Sequence, residues 1–278
     1  MARVILCAGR RSRVPLCLRN TNKKLYSAEE ICYYLYRHAA TAEDYLTDEA
    51  LAEYYEKELG LPDTAQRLRL LAASEAPLKE YAVVLFAATP MYTQEETAEY
   101  LEELERLQEL KYWQKQKAKA DVYLEHRNYR DAVRVYERLL RGRKESGMPE
   151  TAAGNIYHNL AVCELHISGA GSAGIHFAAA YEKNHNPESL RSYLIALRLA
   201  QKDNEYLVAL EHYEVPEAMR SEIDAMLFES MVEAGEAPEY QSFLRIKKLL
   251  AEGQVEEYRK ATQELLAGFK SQYRLDNM

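Results

Sequence analysis

Three stretches of the chain hold residue types that could do chemistry. Gly169-Ala-Gly-Ser-Ala-Gly174 spells G-x-G-x-x-G, a turn that brings helix-end amides to a pyrophosphate when it joins a strand to a helix. Val162–Ile167 ahead of it could pass for a strand, but no run of further parallel strands is present to build the sheet. His158, Cys163 and His166 lie close in sequence. On a helix advancing about 100° per residue, offsets of five and eight splay them apart, whereas ligands on one face need spacings of three or four. Arg10-Arg11-Ser12-Arg13 could touch phosphate, yet no aromatic residue lies nearby to stack a base, and the formal net charge of −8 opposes a nucleic acid. H-E-x-x-H, G-x-S-x-G, P-loop and paired-cysteine motifs do not occur. The expectation is no catalytic residue, no metal and no cofactor.

The elements that would position these residues are helices. Only 11 glycines and 8 prolines leave little room for the turns of a sheet protein, and 47% hydrophobic with 29% charged residues suits a folded chain. No window approaches the roughly 18 apolar residues of a membrane span. The apolar run of residues 4–8 is too brief for a secretory signal, and Cys7, Cys17, Cys32 and Cys163 are sparse and unpaired in spacing. The expected compartment is the cytoplasm.

Three regions follow from patterning. Residues 1–26 carry seven basic residues and no acid, so the remaining 29 basic residues face all 44 acidic ones and the rest of the chain sits near −15. Such an arm would dock on an acidic face, first of all the protein's own. Within it, residues 3–7 and 14–18 read as a β-hairpin, with Pro15 at an edge or strand start. Residues 27–110 read as a bundle of about five helices. Ser27 with Glu30 and Thr93 with Glu96 form capping boxes, Asp48 opens a helix ending at Gly60, and Pro62, Pro77 and Pro90 punctuate the rest. Residues 111–278 form a helical repeat region.

That repeat shows as self-similarity. Ala120, Ala132 and Tyr136 are spaced 12 and 4 apart, and Ala161, Ala173 and Phe177 repeat both spacings 41 residues later. Leu139 and Ala180 follow the aromatic by three in each case. Small residues let facing helices approach, and the aromatic fills the space where the next hairpin stacks. The pattern resembles the tetratricopeptide repeat, a helix–turn–helix of 34 residues. The likeness runs over about 111–213, at Tyr123, Tyr157, Leu160 and the positions just named, and continues more weakly to 275. Lys119 stands where a Leu is usual, and the extra seven residues fit a loop around Gly142, Gly147 and Pro149. In a third unit, the small positions fall on Ile195 and Leu207 or, one residue later, on Ala196 and Val208. The stripe Val255, Tyr258, Thr262, Leu265, Phe269 and Tyr273 marks a C-terminal capping helix.

The resemblance implies an all-α solenoid whose first helices line a concave groove for a peptide or protein segment. Its groove positions here are Gln114, Lys117, Asp121 and Leu124, then Asn155, His158, Asn159 and Val162. A family subgroup grips a C-terminal carboxylate with lysine, asparagine and arginine. Lys117 and Asn159 match it, but Asp121, Ser189 and Tyr193 do not. The expected function is a non-catalytic scaffold or adaptor for another protein, with Arg10, Arg11 and Arg13 as an accessory contact. The alternatives are a nucleotide-binding regulator or enzyme using the Gly169–Gly174 turn, and an RNA-binding protein using the basic arm.

Overall fold

The computed structural model describes residues 9–18, 21 and 23–276. Within them the protein is all-α apart from one antiparallel hairpin, β1 (Leu16–Leu18) with β2 (Lys23–Leu25), Leu16 opposite Leu25. The expected strand over residues 3–7 lies outside the described residues. β1 falls inside the expected 14–18 run, directly after Pro15, where a missing N–H removes no ladder bond. Among the described residues its partner is Lys23–Leu25, a strand hidden in sequence because only Leu25 of its three side chains is buried. Leu18 and Leu25 anchor the hairpin to the helices beneath.

The chain forms two compact units, the first running to Lys202 and the second from Asp203 onward. The divisions drawn from sequence at 26/27 and 110/111 both fall inside the first unit. Even so, 110/111 separates two hydrophobic cores, one spanning Leu18 to Leu104 and one from Trp113 to Cys163.

The first core is built by α1 (Ala28–Arg37), a 3-10 turn (Ala39–Thr41), α2 (Glu43–Leu46), α3 (Glu49–Lys57), α4 (Pro62–Ala73), α5 (Leu78–Ala88) and α6 (Gln94–Glu109). The caps act much as the residues imply. Ser27 Oγ accepts from the Glu30 amide at 3.2 Å, while the Glu30 carboxylate reaches one residue further back, to the Tyr26 amide at 2.6 Å. Thr93 and Glu96 close a reciprocal box, and Asp48 accepts from the Ala50 amide at 2.9 Å. Gly60 takes a left-handed φ of 71° between α3 and Pro62. The helix beyond the expected five is α2, a single turn that carries Asp44.

Helices α7 (Tyr112–Glu125), α8 (Tyr129–Arg141), α9 (Glu150–Ile167), α10 (Ala170–Asn184) and α11 (Pro187–Leu199) then stack as successive hairpins. Ala120, Ala132, Ala161, Ala173 and Ala180 are wholly buried, with Tyr136 and Phe177 filling between them. Gly154 takes the crossing further: a Cβ there would lie 2.7 Å from the Asn184 Cβ and backbone N, so only glycine lets α9 and α10 meet this closely. Of the two third-unit registers, Ala196 is the residue that packs, joining Ala161, Ala173 and Phe177.

The second unit holds α12 (Asp203–His212), α13 (Glu217–Glu236), α14 (Pro238–Ala251) and α15 (Val255–Asp276). Neither register holds on α12: Leu207 and Val208 are 62% and 66% exposed, and Tyr206, Ala209 and Leu210 are buried in their place. On α15 only Tyr258, Thr262 and Leu265 of the expected capping stripe are partly covered, while Val255, Phe269 and Tyr273 are exposed.

The cores on either side of 110/111 are joined by polar contacts. Lys119 pairs with Asp44, and Tyr123 donates to the same carboxylate at 3.4 Å. His126 Nε2 and His38 Nε2 share a hydrogen bond at 3.0 Å beside the Tyr34 ring. Burial, then the neighbouring His38, pushes His126 down to about 4, and burial also lowers His38 against the opposing charge of Glu125.

Two outcomes follow from this packing. Ala132→Leu and Ala173→Leu should each destabilise by about 1–3 kcal/mol through overpacking, read by urea unfolding; unchanged midpoints in both would contradict the close crossings. Because the folded histidines are held below 6.5, the unfolded chain binds more protons in acid, and stability rises with pH across that window. Their contribution is therefore full above about pH 6.5 and lost as pH falls toward about 4. His126→Gln should flatten the loss in urea midpoint between those values; an identical slope in the variant would remove the pair from the acid response.

Candidate functional site

The candidate site is the face formed by the first helices of successive hairpins, α7, α9 and α11. Helical spacing puts Lys117 and Asp121 one turn apart on α7, and stacking brings Asn159 of α9 beside them. Asp121 is the hub. Its Oδ1 accepts from the Tyr136 hydroxyl at 2.7 Å and from Asn159 Nδ2 at 2.9 Å, and its Oδ2 accepts from Lys117 Nζ at 2.6 Å. Asn159 Nδ2 also donates to the Tyr136 oxygen at 3.3 Å. Burial, then the charge of Asp121, drives Tyr136 far above the usual phenol range, so its proton stays in place as a donor. Charge-assisted bonds of this kind hold side chains in fixed positions.

A second cluster lies one hairpin on. His158 Nδ1 meets Ser189 Oγ at 3.1 Å, and Asn184 Nδ2 reaches both Ser189 Oγ and Asn155 Oδ1 at 3.1 Å. Ser189 is wholly buried, and the His158 ring stands edge-on to Phe177 with centroids 5.2 Å apart. Burial lowers the His158 pKa, which keeps the ring neutral at pH 7.

The residues nominated from sequence thus divide. Lys117, Asp121 and Asn159 come together in the first cluster, and Asn155 and His158 in the second. Gln114 instead caps α7, accepting from the Lys111 amide at 3.0 Å. Leu124 and Val162 are half-buried against the two repeat cores. Tyr136 and Asn184 complete the clusters but carried no sequence signal beyond packing and helix-end positions. The carboxylate-gripping mode is disfavoured physically: Lys117 is already engaged by Asp121, whose charge would face any incoming carboxylate.

The other candidates take different places. Helix α9 runs to Ile167 where pyrophosphate binding would need a strand, and Gly169 caps α10 with a φ of 88°. The described residues contain no parallel strand pair. Cys163 is buried with its thiol pushed up to about 12, and His166 stacks on Tyr129 at 4.3 Å. Among the described residues no group of three His, Cys, Asp or Glu side chains could hold a metal ion, and no helix is long and apolar enough to cross a membrane.

Two polar groups of the arm, neither of them on a basic side chain, bond to the protein's own acids. The Gly9 amide donates to Glu29 at 2.6 Å, Ser12 Oγ donates to Glu58 at 2.9 Å, and the Arg10 guanidinium sits over Gly60. Arg11 stacks on the Tyr26 ring at 5.1 Å. The sequence expectation of no aromatic near the arginines is corrected by this contact, since the fold brings Tyr26, fifteen residues on, back to Arg11. Arg13 is exposed. Comparison with protein-family models, curated proteins and solved structures yields no match to this chain.

Proposed function

We propose that the protein is a non-catalytic adaptor that holds a segment of another protein across the inner faces of α7, α9 and α11. The observation that carries this is the Asp121–Tyr136–Asn159 network. It ties one hairpin to the next and fixes a polar face before any partner arrives, which lowers the entropic cost of binding. Exposed Asn155 offers an amide that can both donate to and accept from a peptide backbone. The resemblance to tetratricopeptide repeats supports the same assignment, and the engaged Lys117 favours an internal segment over a free carboxylate terminus.

Affinity capture with three proteins tests the proposal. The parent and Ile175→Glu, a change at a 69% exposed position on α10, should recover the same partner. Asn155→Trp should lose it, by tenfold or more in yield. Equal recovery with Asn155→Trp would sink the inner-face assignment. Calorimetric titration with dinucleotides should give no heat; saturable heat abolished by Gly171→Asp would move the function to the glycine turn.

A further inference from the structure

The first repeat, like the N-terminal arm, departs from the net negative charge of the chain. Residues 111–144 hold eleven Lys and Arg against four Asp and Glu, in a protein of net charge −8. Three of these cations are paired locally, Lys117 with Asp121, Arg134 with Asp131 and Arg141 with Glu137. Lys111 and Arg138 make no ion pair among the described residues.

Those two flank a recess of about 530 Å³ between the start of α7 and the end of α8, lined also by Tyr112, Trp113, Leu139 and Glu145. Its walls are mainly apolar. Tyr112 is 64% exposed at its edge, whereas Trp113 is only 9% exposed. The Trp113 indole N–H is buried and has no acceptor among the described residues. The loop extending the first hairpin beyond the 34-residue repeat supplies Gly142, Glu145 and Ser146 to the same recess.

We propose that this recess docks an acidic peptide segment carrying one aromatic or large aliphatic side chain. The side chain enters against Tyr112, Trp113 and Leu139. Flanking acids of the segment face Lys111 and Arg138. Aromatic and arginine groups at a pocket of this kind are the residue types that dominate peptide anchoring, and the basic surroundings steer an acidic partner. Glu145 on the rim opposes a uniformly anionic polymer such as a nucleic acid. The recess shares no residue with the two inner-face clusters, so it stands or falls apart from the adaptor groove.

Trp113 is the sole tryptophan, so its emission reports on the recess directly. The probe is a blocked heptapeptide of Glu and Asp around one central Phe, titrated into the full chain by fluorescence and by calorimetry. Saturable binding is expected, weakened at least tenfold when the central Phe is Ala and at least tenfold in Arg138→Glu. Gly142→Leu should also abolish it while circular dichroism stays unchanged: Gly142 lines the recess, and a Cβ there meets the Arg138 carbonyl at an ordinary 3.7 Å. The absence of a saturable signal in both measurements up to about 1 mM probe would overturn the proposal. So would equal affinity for the Phe and Ala probes, which reduces the effect to charge alone, or the same Trp113 response to an oligouridylate.

Discussion

Close approach of helix backbones is the constraint on which the first unit's repeats depend. Ala120, Ala132, Ala161 and Ala173 are wholly buried where helices meet, and Gly154 admits Asn184 at a distance that any side chain would forbid. Close-packed interiors do not absorb added volume without displacement. Because the crossings are tight, the aromatic residues Tyr136 and Phe177 have one place to go, between successive hairpins. That placement, in turn, lays α7, α9 and α11 side by side with their polar positions aligned.

The polar clusters follow from this geometry. Tyr136 is a core residue by its ring and a site residue by its hydroxyl, which emerges at Asp121. Its dual role couples packing to the inner face: a change that shifts the ring also shifts the hub carboxylate. Ser189 does the same one hairpin later, buried on one helix and bonded to His158 on another. The face is thus built from groups whose bonds are already made, with exposed amides such as Asn155 left at its margin.

Much of the fold was legible because local chemistry and tertiary packing agree. The caps at Asp48 and Thr93, the prolines at the starts of α4 and α11, and the alanine spacing each name their own structure. What was not legible depends on residues distant in sequence. The pairing of β1 with the lysine-bearing β2, the return of Tyr26 to Arg11, and the single turn α2 have no local periodicity to announce them. Lys119 is the clearest case. It breaks the expected apolar pattern, and its reason, Asp44, lies 75 residues away. In the second unit the pattern itself fades, and α13 buries only Ile223. The candidate site was half legible: the resemblance named Lys117, Asp121 and Asn159 as groove positions, while Asn184 and the Tyr136 hydroxyl join through stacking alone.

The junction at Asp44 and His38 has a thermodynamic consequence. Two hydrophobic cores that meet only through solvent-facing loops would open independently, each with its own melting event. Here helix α7 belongs to the second core by Trp113, Ala120 and Tyr123, and to the first by Lys119 and His126. Fraying α7 would strand Asp44 without its cation and Tyr34 without its stacked neighbour. Helix α7 thereby links the region before residue 110 to the hairpins α8–α11, and a fragment cut at that seam would carry two unmatched halves of one joint.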